Sequence, residues 1–209
     1  TTFSGSFSGA GELIKTGTGT LTLTGGTRAD PNEIGALTLC GCGGGGGVTL
    51  EGGSLDVTSY FGVLVDTSTL SITQGAMLRE TSGFGVLAAG GTILVTGTNL
   101  DTGDGSALEA AGLIYLTSMY VDPPGEDFFS VLTVADGGIL TANDGVIIDE
   151  GSELRIGAGA FAGTITGSPI IMNEGTIAAN YTDSTTLDAT LTGSGAFTKA
   201  GSGVLTYTG

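Results

Sequence analysis

Histidine is absent from all 209 residues, and lysine and arginine together number 5 against 21 aspartates and glutamates. Without an imidazole the Ser-His and Cys-His nucleophile systems cannot be assembled. The five basic residues, Lys15, Arg28, Arg79, Arg155 and Lys199, are scattered, and the formal charge is −16. A phosphate backbone is bound through clustered cations that release its counterions, so no nucleic-acid partner is expected. Cysteine is confined to Cys40 and Cys42, spelled Cys-Gly-Cys. One such pair fits neither a disulfide scaffold nor a four-ligand zinc site, which leaves a local disulfide or two free thiols. No metal and no cofactor is expected. No apolar run approaches the ~18 residues that cross a bilayer as a helix.

What the chain has is glycine, 41 residues of it, without a three-residue period and with only 4 prolines. That excludes collagen. Disorder is a poor reading as well, because 40% of the residues are apolar, mean hydropathy is +0.36, and the apolar residues alternate in short runs. The pairs Leu21 and Leu23, Leu37 and Leu39, Leu55 and Val57, Leu70 and Ile72, Ile93 and Val95, Val146 and Ile148, and Leu154 and Ile156 are each split by one residue, often Thr or Ser. Such spacing sends the apolar set to one side of a strand, while β-branched Thr suits the other. Gly-Gly, Asp-Gly, Glu-Gly and Asn-Glu-Gly mark the turns between strands.

The strands repeat. Phe61-Gly62-Val63-Leu64 returns as Phe84-Gly85-Val86-Leu87, an offset of 23, and Leu70, Ile72 and Thr73 map onto Ile93, Val95 and Thr96 in the same register. Three short strands and three turns fill about that length, which is one coil of a parallel β-helix. The spacing predicts an all-β solenoid of about eight coils, read as a single unit over 1–209. Three stretches depart from the pattern. Ser106 to Ala111 reads as one helical turn, Gly41 to Gly47 as a flexible glycine loop, and Val121 to Ser130 as a loop leaving the stack, since Pro123 and Pro124 cannot donate to a ladder.

The two ends carry one motif. Gly9 to Gly25 and Gly193 to Gly209 align without a gap and agree at nine of seventeen positions, among them Lys15 with Lys199, Gly17 with Gly201, and Leu21 with Leu205. The copies lie 184 residues apart, eight times 23. The motif Gly-x-Gly-x-Leu-x-Lys-x-Gly-x-Gly-Thr-Leu-Thr-Leu-Thr-Gly resembles the strand repeat of bacterial autotransporter passenger domains. The second copy departs from it at Phe197, Val204 and Tyr207. The resemblance implies a right-handed parallel β-helix exported across the outer membrane to the bacterial surface or the medium, through a C-terminal barrel that this sequence does not contain. It further implies a non-enzymatic adhesin or self-associating surface protein, with a second copy, a host-surface protein or a glycan as partner.

Enzymatic readings find little support in the residues. Glycosidases hold two carboxylates ~5–9 Å apart, which in a solenoid means acidic residues on adjacent coils. Asp66, Asp101, Asp104, Asp144 and Asp149 qualify by type alone, and no enzyme is expected. The run Asn99 to Ser106 places oxygen ligands at alternate positions, as a calcium loop does, but reads more simply as an Asp/Gly turn. A loop on a rigid stack is where recognition usually sits. The candidate partner-binding residues are therefore Tyr120, Asp122, Pro123, Pro124, Glu126, Asp127 and Phe128. Outward Thr ladders such as Thr18, Thr20, Thr22 and Thr24 offer a second contact surface. The remaining alternatives are a spacer, or a solenoid that stacks end to end, since neither motif reads as a polar cap.

Overall fold

The computed structural model describes residues 1–41, 45–119, 127–167 and 169–209. The described residues form strands and turns without a helix, and every strand-to-strand ladder is parallel. Three faces wind around one interior. Face A stacks nine strands from Thr2–Phe3 to Ala196–Ala200, face B eight from Glu12–Lys15 to Thr190–Thr192, and face C six from Asn32–Ile34 to Thr164–Thr166. Ser184–Leu187 and Val204–Tyr207 form a further two-stranded ladder. Within the stack the chain passes from A to C to B and back to A, so the molecule is a parallel β-solenoid.

Alternation produces this arrangement directly. On face A one inner row runs Leu21, Val48, Leu70, Ile93, Leu132, Leu154, Ile177 and Phe197. On face B its counterpart runs Leu13, Leu37, Val63, Val86, Ile114, Val146, Ile171 and Leu191. Face C contributes Leu55, Leu78, Leu108, Leu140 and Ile165. From Leu37 to Ile177 the members of these rows are nearly or fully sealed from solvent. Each fully buried aliphatic side chain contributes about 1.5–3 kcal/mol, and each coil draws this from its two neighbours alone.

The nine strands of face A make eight coil-to-coil steps. Their lengths vary. From Val48 through Leu70, Ile93, Leu132, Leu154 and Ile177 the steps are 22, 23, 39, 22 and 23 residues. The long step carries the segment between Ile114–Thr117 and Val131–Ala135. The terminal motifs do not lie a whole number of coils apart. The first places its strands on faces B and A, whereas the second places Ala196–Ala200 on face A and pairs Val204–Tyr207 with Ser184–Leu187, one face further on. The agreement of 184 with eight times 23 is numerical only.

What the motif repeats is a turn. Lys15 Nζ donates to the carbonyls of Thr16 (2.7 Å) and Gly17 (2.9 Å), and Lys199 Nζ donates likewise to Ala200 (2.5 Å) and Gly201 (3.3 Å). Gly17 and Gly201 hold φ of 74° and 72°, which glycine adopts without cost. Both lysines stand at the end of an inner row. Lys15 continues Leu39, Val65, Ala88, Leu116 and Ile148, and Lys199 continues Leu50, Ile72, Val95, Val134, Ile156 and Ala179. A charged group, satisfied by its own turn, ends each of these two rows, but the ends are otherwise apolar: Phe3, Phe7, Leu13 and Leu21 line an open cavity at the first, and Phe197, Val204 and Tyr207 are exposed at the second, so neither end is a polar cap.

Two further expectations change. Ala107–Ala110 is a strand paired with Met77–Glu80, not a helical turn, because the fold has a ladder position there and Leu108 fills the core between Leu78 and Leu140. At the glycine run, Gly47 opens the strand Gly47–Glu51, while Gly41 and Gly46 lie so close to Thr67 and Gly17 that a Cβ would collide with them. Positions 42–44 lie outside the described residues.

Candidate functional site

The three faces share an apolar inside and differ outside. Face A presents Thr22, Thr49, Ser71, Leu94, Thr133, Arg155, Ala178 and Thr198 along one outward row. Face C presents Glu33, Asp56, Arg79, Glu109, Thr141 and Thr166, knitted by an ion pair from Arg79 Nε and Nη2 to the two Asp56 oxygens at 3.0 and 2.8 Å. This pairing and the nearby Glu109 hold the Arg79 guanidinium above its ordinary pKa. Face B presents Ile14, Thr38, Leu64, Leu87, Tyr115, Ile147, Met172 and Thr192. That row of eight contains no charge, in a chain of 26 formally charged side chains.

Ring-bearing turns widen the face along the corner where face C gives way to face B. Tyr60 and Phe61 are 72% and 73% exposed, and the Tyr60 ring lies 5.2 Å from that of Phe84 one coil on. Between these turns and the strands runs a groove of about 490 Å³, lined by Glu12, Thr38, Phe61, Leu64, Phe84 and Leu87. Leu113 and Ile170, both exposed, continue the edge. Scattered apolar residues are normal on a surface, but a contiguous patch marks an interaction site.

The few polar atoms on this face already have partners. Thr38 Oγ1 donates to Glu12 Oε1 at 2.5 Å. The neighbouring Asp149 carboxylate, and secondarily burial, holds the Tyr115 phenol above its ordinary pKa. The face is thus suited to an apolar surface rather than to a ligand demanding many hydrogen bonds.

The residues singled out from sequence are only partly placed. Tyr120, Asp122, Pro123, Pro124 and Glu126 lie outside the described residues. Asp127 is exposed, and Phe128 exchanges two backbone hydrogen bonds with Met119 at 2.8 and 3.1 Å. Phe128 and Phe129 rest on glycines of the coils to either side, where a Cβ on Gly90 would come within 2.6 Å of Phe128 and one on Gly151 within 2.1 Å of Phe129. Buried Ser130 then donates to the carbonyls of Ala88 (2.8 Å) and Thr117 (2.7 Å). These bonds close the neck of the segment at the corner between faces B and A. Cys40, at the end of a face-B strand, is disulfide-bonded.

The acidic candidates do not assemble. Asp66 and Asp149 follow the register Asp66, Ala89, Thr117, Asp149 and stand three coils apart. Asp101 and Asp104 belong to a closed turn in which Asn99 Oδ1 accepts from Asp101 N (2.9 Å) and Thr102 N (3.2 Å). Among the described residues no cluster of three or more acidic or cysteine ligands is present. Glu33 and Asp56 do stand on adjacent coils, a juxtaposition visible only once the register is known, but Asp56 is engaged by Arg79.

The apolar face escaped the sequence reading, although a signal for it exists. Where face A spells Leu-Ser-Ile-Thr, face B spells Val-Leu-Val, Val-Ile-Ile and Ile-Ile-Met, so alternation fails because the outer position is apolar too. The β-solenoid architecture is compatible with an autotransporter passenger repeat domain. No family model matches the chain, and no curated protein or solved structure matches it.

Proposed function

We propose that this chain is a non-enzymatic adhesive segment of an autotransporter-type surface passenger, and that face B is its working surface. The observation that carries the reading is the uncharged outward row from Ile14 to Met172, bordered by the exposed rings of Tyr60, Phe61 and Phe84. The absence of histidine from the sequence supports a binding role over hydrolysis by a nucleophile and imidazole base.

The test is attachment of bacteria or beads displaying the chain to cells, comparing Leu64→Asp and Leu87→Asp on face B with Thr49→Asp on face A. Loss with the first two alone is the expected result. Full attachment by all three variants would remove face B from the mechanism. A second reading, attachment through 120–128, draws on the neck closed by Met119, Phe128 and Ser130. Deleting 123–127 should then abolish attachment while the β-sheet circular dichroism stays intact.

A further inference from the structure

We infer that the occupant of face B is face B of a second copy of this chain, an inference that rests on the adhesive reading above and names its partner. Three observations converge. The first is charge placement. The molecule carries −16, so like copies repel through most orientations, yet the row Ile14, Leu64, Leu87, Tyr115, Ile147 and Met172 is free of charge. Acidic groups stand on face C, as Glu33, Asp56 and Glu109, and on face B only at its margins, as Glu12 at the first coil, where it accepts from Thr38, and as Asp66 and Asp149 along the corner with face A. Copies meeting through face B bury none of the outward face-C charges.

The second is size. Eight strands at ~4.8 Å spacing make a strip about 34 Å long, and about four residues plus a corner ring make it about 15 Å wide. Two such strips would bury roughly 1,000 Å² in total, at the threshold separating a weak, reversible association from a chance contact. A two-fold axis sets a strip of one length against itself, so the match needs no second surface.

The third is polarity. A glycan asks for donors and acceptors, whereas the outward row is mostly hydrocarbon and its Thr38 hydroxyl is already engaged with Glu12. An anionic membrane would be repelled by a chain with five basic residues. The surface fits another apolar surface.

Sedimentation velocity over a wide concentration range tests the inference. The expected result is a reversible monomer–dimer equilibrium that strengthens with added salt, as screening relieves repulsion and no ion pair is lost. Leu87→Glu and, separately, Met172→Glu should weaken it by about tenfold or more, because each buries an unpaired carboxylate. Thr49→Glu, which adds the same charge on face A, should leave it nearly unchanged. Circular dichroism melts identify any variant that fails to fold, and the other face-B variant then carries the comparison. A monomer at all concentrations, or equal weakening by Leu87→Glu and Thr49→Glu, overturns the inference. If the wild type is monomeric and Leu87→Asp still abolishes cell attachment, the partner is foreign and the adhesive reading survives. If both dimer and attachment persist in the face-B variants, both readings fall.

Discussion

Faces A and B are built from the same inside and opposite outsides. Their inner rows are interchangeable in kind: Leu70, Ile93 and Leu132 on one, Val63, Val86 and Ile114 on the other, all essentially closed to solvent. Their outer rows diverge: face A's is mostly Thr and Ser, with Leu94, Arg155 and Ala178, whereas face B's is mostly Leu, Ile, Tyr and Met, with Thr38 and Thr192. A coil needs the inner set in order to stack, and either outer set satisfies the ladder hydrogen bonds equally. The difference therefore concerns what each face meets, and the two rows can be perturbed independently because neighbouring residues of a strand point to opposite sides.

The largest effect should come from the shared inside. Leu132→Ala on face A and Leu116→Ala on face B, both fully buried, should each cost about 2–5 kcal/mol, read as a fall in denaturation midpoint. Near-equal losses would uphold the equivalence of the inner rows. A loss on only one face would break the comparison at its root.

The next effects lie at the corners, where faces B and A are tied to face C by different chemistry. Beside face B, buried Glu80 sits in the inner row of face C between Val57 and Ala110 and accepts hydrogen bonds from Ser82 N (2.7 Å), the Ser82 hydroxyl and Gly112 N (3.3 Å) of the next coil. Glu80→Ala should cost about 2 kcal/mol and expose the Ser82 and Gly112 amides to hydrogen exchange. Beside face A, Arg28 Nη2 reaches along the stack to the carbonyls of Gly75 (3.3 Å) and Gly105 (2.5 Å). Arg28→Ala should cost about 1–2 kcal/mol, less because the side chain is half-buried and water replaces part of the interaction. Unchanged exchange at these amides and unchanged midpoints would show that stacking alone holds the corners.

Much of this was legible in the sequence. Every apolar pair found by alternation lies in a strand with its members turned inward, and the offset of 23 is the true register of Leu70 with Ile93. Three things were hidden. The motif Lys-x-Gly names a turn, and the three sides of the prism share one strand-and-turn grammar, so spelling alone could not say that its copies fall on different faces. Leu-Glu-Ala-Ala favours a helix locally, but Met77–Glu80 offered a partner strand that overrode it. The outer row of face B is assembled from residues 20 to 32 apart, such as Leu64 with Leu87 and Tyr115 with Ile147, and exists only once the register is set.

A smaller and pH-dependent effect belongs to face A. Tyr181 follows its strand Thr176–Asn180, is fully buried beneath the Lys199 ammonium 4.4 Å from the ring centre, and its hydroxyl has no partner among the described residues. Burial, and secondarily the charge of Asp183, raises its pKa above the ordinary 10.0. The unfolded chain then releases this proton first as pH rises past that value, so stability is fully present below it and declines through the alkaline range. Tyr181→Phe should be neutral or stabilising by about 1 kcal/mol near neutrality and should flatten part of that decline. Tyr115, raised for a different reason, supplies a remaining part from face B. An unaltered alkaline profile would mean that this hydroxyl does not titrate differently in the two states.

The smallest change in stability should accompany the largest change in surface behaviour. Leu64→Thr with Leu87→Thr gives face B the outer chemistry of face A, and Thr residues suit the pleat as well as Leu does. The melting midpoint should move by no more than about 0.5 kcal/mol equivalent, because neither side chain reaches the interior. Binding of a dye that reports exposed apolar surface should fall, and the reverse change, Thr49→Leu with Ser71→Leu, should raise it on face A. If instead the face-B exchange destabilises the chain by several kcal/mol, the outer apolar row is part of the packing and its exposure needs no partner. If stability holds, the fold does not require Leu64 or Leu87 to be apolar, and their alignment with Ile147 and Met172 in one uncharged row is to be explained by what that face binds.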